Sequence, residues 1–313
     1  MKRTETAKLH RLGGRKGNAP LYVMLLPGLF FLVIYKLLPL YGLLIAFKDF
    51  NIFLGSNPLE AIWQSPWVGF AHFERLFGNP DFGKVFANTL IINGYKILFL
   101  FPLPLICAIL LNEIRWKLYK KMMQTFIYIP YFFSWVVVFG IFFSLLGSYG
   151  IVNQVLAQLG LPTVSFFTDN SVFRGVLVVT EGWKEVGWYT VIYMAAISAL
   201  DPTLYEAAKI DGASTLQQMF FVTIPGLFPT IVLLFIMKVG YILDTGFEQI
   251  LVMYNPTVYE VADVIQTYVY RLGLGQMDFS MGTALGLFNA VVAFILIVGA
   301  NTLSKKTLGR SIW

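Results

Sequence analysis

The chain has 313 residues, of which 57% are hydrophobic, 17% aromatic and only 13% charged, with a formal net charge of +6. So apolar a composition argues against an ordinary water-soluble domain and makes a bilayer the natural solvent. A single cysteine, Cys107, excludes an internal disulfide framework, and His10 and His72 lie far apart without ligand partners at helical spacing, which argues against a metal site.

A basic segment over residues 1–19 opens the chain, and an apolar stretch follows near 20–47. That stretch is far longer than the h-region of a signal peptide and lacks a small-x-small cleavage site, so it reads as a retained helix. A hydrocarbon core about 30 Å thick needs about 20 mostly apolar helical residues. Five more stretches reach that length, near 82–112, 122–146, 173–200, 222–245 and 280–303. The expected fold is therefore an all-α membrane protein with six transmembrane helices. Four parts are expected: the leader 1–19, a first span with an outer loop over 20–81, the main transmembrane domain over 82–304, and a tail over 305–313.

Between the first two spans, "SPWVGFAHFERLF" (65–77) sets Phe70, Phe73 and Phe77 on one helical face and Glu74 and Arg75 on the other. That is the pattern of a helix lying in the membrane interface, or equally of a packed loop helix. Residues 147–172 and 246–279 read as outer segments with turn residues, long enough to meet a docking partner. The fourth span is the least apolar, because "EGWKEVGW" (181–188) places Glu181, Lys184 and Glu185 within it. Spaced i, i+3 and i+4, these three could neutralise one another on one helical face, or lie near a span end in water.

Orientation follows from the basic residues of the connections. With the N-terminus inside, the inner segments hold Lys2, Arg3, Lys8, Arg11, Arg15, Lys16, Arg115, Lys117, Lys120, Lys121, Lys209, Lys305, Lys306 and Arg310. The outer segments hold only Lys48, Arg75, Arg174 and Arg271. Both termini are expected in the cytoplasm of a multi-pass protein of the cell membrane, plasma or bacterial inner. The positive charge reflects topology and not nucleic-acid binding, since the basic residues are dispersed and not interleaved with stacking aromatics.

Residues 205–231, "YEAAKIDGASTLQQMFFVTIPGLFPTI", interrupt the apolar runs on the inner side. Asp201 before Pro202 is a strong helix start, and Thr203 with Glu206 adds a possible capping box. A short helix is predicted over about 202–211, ended by Gly212 in a left-handed conformation. Ser214 and Gln217 repeat the start signal for a second helix leading to the fifth span. Ala207, Ala208, Gly212 and Ala213 are small enough for another backbone to approach closely, and Glu206 projects one negative charge beside them. This describes a docking surface; a plain capped linker between two spans is the alternative.

The run Glu206-Ala207-Ala208, then Gly212, then Ile224-Pro225 and Pro229, resembles the EAA motif of membrane subunits of ABC importers that work with an external binding protein. The resemblance extends over most of the chain, through "VGFAHFERLF", "GWKEVGWYTVIYMAAISALDPTLYEAAKIDGA", "GFEQILVMYNP" and the ending "SIW", which look like the branch handling oligosaccharides or polysaccharide fragments. It implies a type I importer permease fold in which Glu206, Ala207, Ala208, Asp211, Gly212 and Ala213 form a cytoplasmic coupling helix seated in a cleft of an ATPase subunit. It also implies a second homologous permease chain, two ATPase subunits that bind ATP and Mg, an extracytoplasmic solute-binding protein and an oligosaccharide cargo. No cofactor is expected on this chain itself.

No G-x-x-x-x-G-K-[ST] motif occurs, and no Ser-His-Asp or Cys-His set appears, so an enzymatic role is not expected. A secondary transporter or channel remains the alternative, although it calls for repeats or intramembrane ion sites that the sequence does not display. Tyr95, Lys96, Glu181, Trp183, Lys184, Trp188, Tyr193, Asp244 and Asn289, with Tyr189, could line a translocation path, since sugar rings meet aromatic faces and their hydroxyls meet polar groups. Ordinary packing and interfacial aromatic belts account for the same residues.

Overall fold

A computed structural model describes residues 19–243 and 246–308, so the leader before Ala19, Asp244 and the tail after Leu308, including "SIW", lie outside the described residues. The chain divides into two compact units, Met1–His72 and Phe73–Trp313.

In the first unit, α1 (Ala19–Leu32) runs on through a π turn (Val33–Leu37) and a 3-10 stretch (Leu38–Phe47). Pro39 stands at the start of that stretch, where its missing N–H favours the change of helical type. The apolar run Leu21–Phe47 is 27 residues long, enough to cross a membrane, and Ala46 alone among its residues is buried, as on a helix solvated by lipid. Asn57 opens α2 (Pro58–Gln64) by accepting from the Glu60 N–H at 2.9 Å. Lys48 closes it. Its ammonium donates to the carbonyls of Ile62 (2.8 Å), Trp63 (3.0 Å) and Ser65 (3.1 Å), which the end of the helix leaves without intrahelical donors.

The segment predicted to be helical over 65–77 contains α3 (Ala71–Gly78). Phe70 precedes the helix, and its buried positions are His72 and Leu76, one turn apart, while Phe70 and Phe77 are exposed. The segment thus combines a packed face with exposed aromatic surface.

The second unit is built from longer helices. Asn79 caps α4 (Pro80–Leu100), and α5 (Pro102–Glu113) continues it as a 34-residue apolar run. Next come α6 (Lys117–Tyr128), α7 (Trp135–Leu146), α8 (Ile151–Gln158), α9 (Asn170–Ser198), α10 (Pro202–Ile210), α11 (Thr215–Gln218) and α12 (Ile224–Gly240). The chain closes with α13 (Phe247–Met253), α14 (Tyr259–Ala262), α15 (Ile265–Tyr270) and α16 (Phe279–Leu308). Five helical runs are long and apolar enough to cross: Leu21–Phe47, Pro80–Glu113, Trp135–Gln158, Thr215–Gly240 and Phe279–Lys306. The sixth predicted span is α9. At 29 residues it rises about 43 Å, ample for crossing, but Arg174, Glu181, Lys184 and Glu185 set it apart from the other five.

Two boundaries differ from the prediction. The stretch 122–146 is not one helix: α6 passes into a 3-10 turn at Ile129–Phe132, Phe133 is extended, and α7 starts afresh at Trp135. Pro130 withdraws a backbone donor, and the Ser134 hydroxyl caps the new helix by accepting from Val137. The long apolar run therefore begins at Trp135 and includes α8, which was expected in an outer loop. The fifth span ends at Gly240 and not at 245, with Tyr241 already in a turn.

The other expected outer segment, 246–279, is helical and deeply packed. Ile250, Val258, Ala262 and Ile265 are all 0% exposed. Ile250, Val258 and Ala262 join a core in which α4 (Ile92), α7 (Val138, Phe142) and α9 (Phe173, Leu177) meet α13, and Ile265 packs in a second core with Phe82, Leu243 and Leu285. Helix α9 is the hub, in contact with α4, α5, α6, α7, α12, α13 and α14. Between apolar helices in lipid there is little hydrophobic drive, so close backbone approach through small residues matters more. Gly187 shows this: a Cβ there would strike the backbone of Ile127 and Tyr128, so α6 rests directly on α9 at that point.

Candidate functional site

The hub helix carries charge into its own centre. Glu181 is 4% exposed and is gripped from two neighbouring helices: Lys96 Nζ of α4 lies 2.5 Å from one carboxylate oxygen, and Lys238 Nζ of α12 lies 3.3 Å from the other. Lys96 is 0% exposed and also donates to Gln249 Oε1 of α13 at 2.7 Å. Gln249 in turn donates to the carbonyl of Leu177 (2.7 Å) and to Thr180 Oγ1 (2.8 Å) on α9. The two pairs and the amide link α4, α9, α12 and α13 in one hydrogen-bonded knot.

The predicted mutual neutralisation within "EGWKEVGW" therefore holds only in part. Lys184 pairs with Glu185 at 3.4 Å, donates to the Tyr131 carbonyl at 2.8 Å and sits over the rings of Tyr131 and Trp135. Glu181 takes its counter-ions from other helices, because the side chain at i+3 turns toward the 3-10 corner at Tyr131. Nor does the cluster lie at a span end, since it falls in the middle of α9.

Two cavities meet at this cluster. The larger, of about 400 Å³, is lined by Trp135, Glu181, Glu185, Tyr189, Lys238, Gly246, Phe247 and Glu248. A smaller one of about 30 Å³ shares Glu181, Glu185, Tyr189 and Lys238 and is closed by Leu100, Pro104 and Tyr193. Tyr193 is buried, and its hydroxyl has no hydrogen-bond partner among the described residues. Trp183 packs on Phe133 and Phe142, and Trp188 stacks on Tyr131 at 4.7 Å, both keeping an exposed edge. Tyr95 lines a separate cavity with Arg174, and Asn289, buried on α16, lines neither cavity at Glu181.

The interruption over 201–218 has the local form its residues predict. Asp201 Oδ1 accepts from the Thr203 N–H at 2.9 Å, which holds the Asp201 carboxyl below the usual carboxylate range, and α10 begins at Pro202. Thr203 consequently lies inside the helix and does not form the expected capping box with Glu206. Gly212 takes φ +79°, and a capping box of Ser214 and Gln217 opens α11. Nothing on α10 is buried, and Glu206, Ala207, Asp211 and Gly212 are exposed, with Ala208 and Ala213 partly so. Leu204, Ile210 and Leu216 add exposed apolar surface, at 53%, 86% and 65%. The helix is tied to its continuation by Tyr205, whose hydroxyl bonds Thr223 Oγ1 at 2.9 Å just before α12.

Residues 100–308, which contain both the buried knot and the inner loop, match the family model of the binding-protein-dependent transport system inner membrane component. The chain belongs to that family. Among relatives of this inner membrane component, Protein LplB of Bacillus subtilis is 44% identical over 289 residues, covering 91% of this chain and 88% of that protein. The polygalacturonan/rhamnogalacturonan transport system permease protein YteP of the same organism is 44% identical over 287 residues, with the same coverage. A chain from the crystal structure of a bacterial alginate ABC transporter, in complex with alginate pentasaccharide-bound periplasmic protein, superposes with a TM-score of 0.86 at 39% identity, over 95% of this chain and 98% of that one. The all-helical permease fold is thus shared over nearly the whole length.

Sequence reasoning missed two members of the inner membrane component's knot. Lys238 is a lone base in the apolar run "LLFIMKVG", the signal that intramembrane ionisable residues give. Gln249 carried no signal, because its segment reads as an outer loop. Gly246 adds a further constraint. It takes φ +91°, and a Cβ built there would lie 2.6 Å from Lys96 Nζ. Gly246→Ala is expected to cost about 1–3 kcal/mol from the backbone alone, and to push the Lys96 ammonium off its partners. Thermal unfolding in detergent checks this, with Gly286→Ala as control, since nothing lies within 4 Å of that position.

Proposed function

We propose that this inner membrane component is one of two permease chains of an ATP-driven importer that carries oligosaccharides or polysaccharide fragments, delivered by an extracytoplasmic binding protein. The observation that carries the reading is the cavity of about 400 Å³ beside the middle of α9, where the rings of Trp135, Tyr189 and Phe247 stand with Glu181, Glu185, Glu248 and Lys238. Aromatic faces beside fixed polar groups suit a polyhydroxylated ring, which needs stacking area and hydrogen-bond partners together. The relatives support the cargo class: one is named for polygalacturonan and rhamnogalacturonan, and the superposed chain comes from an alginate importer.

ATP and Mg belong to two partner ATPase subunits, and the chain itself performs no hydrolysis. The exposed helix α10, with Glu206, Ala207, Ala208, Asp211, Gly212 and Ala213, is the element those subunits grip. Both termini face the cytoplasm, by the distribution of Lys and Arg among the connections. The path runs past Glu181, Lys184 and Tyr193, with Lys96 behind Glu181 and Trp183 and Trp188 at the aromatic corner; Tyr95 and Asn289 line neither cavity at Glu181, and Asp244 lies outside the described residues.

Co-expression with the genomic neighbours, followed by purification and reconstitution into liposomes, tests the reading. Co-purification of a nucleotide-binding subunit and uptake of an oligosaccharide dependent on ATP and on the binding protein are expected. Uptake that persists without ATP and responds to an ion gradient would replace the importer with a secondary transporter.

A further inference from the structure

The stretch "EGWKEVGW" (181–188) of α9 faces the break in the apolar run 122–146. Glu181 turns to Lys96 and Lys238, whereas Trp183, Lys184, Gly187 and Trp188 all meet the corner at 127–135. Gly187 leaves no room for a Cβ against the Ile127 carbonyl, Trp188 stacks on Tyr131 at 4.7 Å, and Trp183 lies on Phe133 at 6.3 Å. At the corner the 3-10 turn Ile129–Phe132 gives way to extended Phe133, so the helical ladder stops between α6 and α7. A backbone carbonyl freed inside a membrane-spanning bundle needs a donor from elsewhere. Lys184 supplies one, its Nζ donating to the Tyr131 carbonyl at 2.8 Å.

The same ammonium lies 4.9 Å from the centroid of the Tyr131 ring and 5.4 Å from that of Trp135, both within cation–π range. Its charge is matched by Glu185 at 3.4 Å, and its side chain is only 9% exposed. Lys184 lines neither cavity at Glu181, but Trp135, the first residue of α7, lines the larger one.

We propose that Lys184 is a positioning residue for the cargo: it closes the corner at Tyr131 and holds the Trp135 indole as a stacking wall of the larger cavity, without itself touching the sugar. A ring contributes most to binding when its orientation is set before the ligand arrives, because the ligand then does not have to order it. Lys184 sets that orientation through a backbone carbonyl and two ring faces together. With an apolar residue in its place the Tyr131 carbonyl loses its donor and both rings lose the cation they share, so Trp135 is free to leave the wall. This inference rests on the oligosaccharide-import reading and names the residue that prepares its site.

The test is a double-mutant cycle on uptake, in liposomes holding the complete importer, its binding protein and ATP, with a galacturonate tetramer and a neutral glucose tetramer as probes. For whichever tetramer the unmodified importer carries, Trp135→Ala is expected to raise KM about tenfold, as the loss of an aromatic anchor does. Lys184→Met is expected to raise KM at least about fivefold with kcat within about twofold, and to add less than about twofold in the Trp135→Ala background. Lys184→Arg is expected to hold KM within about threefold, since a cation stays over the rings. An unchanged KM in Lys184→Met, or the same rise in both backgrounds, overturns the inference and leaves oligosaccharide import standing; the second result would assign the effect to Glu185 or to the fold. Uptake of neither tetramer by the unmodified importer overturns both readings. If Lys184→Met does not assemble, Lys184→Gln takes its place in the cycle, because it keeps a donor for Tyr131 and removes the charge from the rings.

Discussion

Glu181→Ala is expected to be the most destabilising single substitution in the second unit, lowering the thermal unfolding midpoint of the detergent-solubilised protein by about 10 °C or more. The reason is what remains. Lys96, wholly buried, would face only the amide oxygen of Gln249, and Lys238 would lose its nearest anion. Removing one partner of a buried pair costs roughly 3–5 kcal/mol, because the other charge stays where water cannot reach it. In a unit of this size each kcal/mol moves the midpoint by about 2–4 °C. Glu181→Gln tests the same point with the shape kept: it retains hydrogen bonding and still strands the lysine, so it too is expected to fall. The double variant Lys96→Met with Glu181→Leu is expected to recover at least half of the loss, since a hydrophobic replacement of similar volume often matches a buried ion pair. A midpoint equal to that of the unmodified protein in Glu181→Ala would show that the pair adds nothing to the fold.

The all-helical architecture was legible because the run lengths are set by bilayer thickness, a constraint that acts through composition alone. Span ends were less so. Leu21–Phe47 and Pro80–Glu113 lie within two residues of the predicted limits, but the third span broke at Phe133. There a proline and a serine cap acted together inside a continuous apolar run, and hydropathy does not register a change of backbone direction. The inner loop was the most legible part, since Asp201, Gly212, Ser214 and Gln217 act on backbone groups no more than three residues away. Part of the buried knot was hidden for the opposite reason. Lys96 and Gln249 are 153 residues apart, and Glu181 and Lys238 57 apart, and no local pattern reports which helices will meet. The packed segment 246–279 was misleading for its turn residues, which resemble those of a solvated loop although the segment closes the core.

Glu206→Ala and Gly212→Val are expected to abolish uptake while the spans remain folded. Helix α10 contributes nothing to the core: none of its residues is buried, and Gly212 has open space around it. What Gly212 supplies is φ +79°, which a β-branched residue strongly resists, so Gly212→Val would swing α10 away from α11 without disturbing the bundle. In the proposed coupling, force on α10 would pass through the Tyr205 hydroxyl to Thr223 at the foot of α12. Helix α12 carries Lys238, so a displacement passed on to α12 would reach the side chain that faces the cavity. Glu206→Ala acts at the other end of the proposed lever: it leaves α10 in place and removes an exposed carboxylate that an ATPase would pair with inside a docking cleft. Glu206→Ala should keep the unfolding midpoint within about 2 °C of the unmodified protein, as exposed positions away from the core do, and Gly212→Val should lower it by no more than its local backbone strain of about 1–3 kcal/mol accounts for. Uptake should fall at least about tenfold, and binding-protein-stimulated ATP hydrolysis with it. Normal uptake by the assembled Glu206→Ala importer would remove Glu206 from the proposed ATPase contact. A large fall in the midpoint of Glu206→Ala would mean that α10 helps to hold the bundle together, and the lever would then have to be sought in another connection.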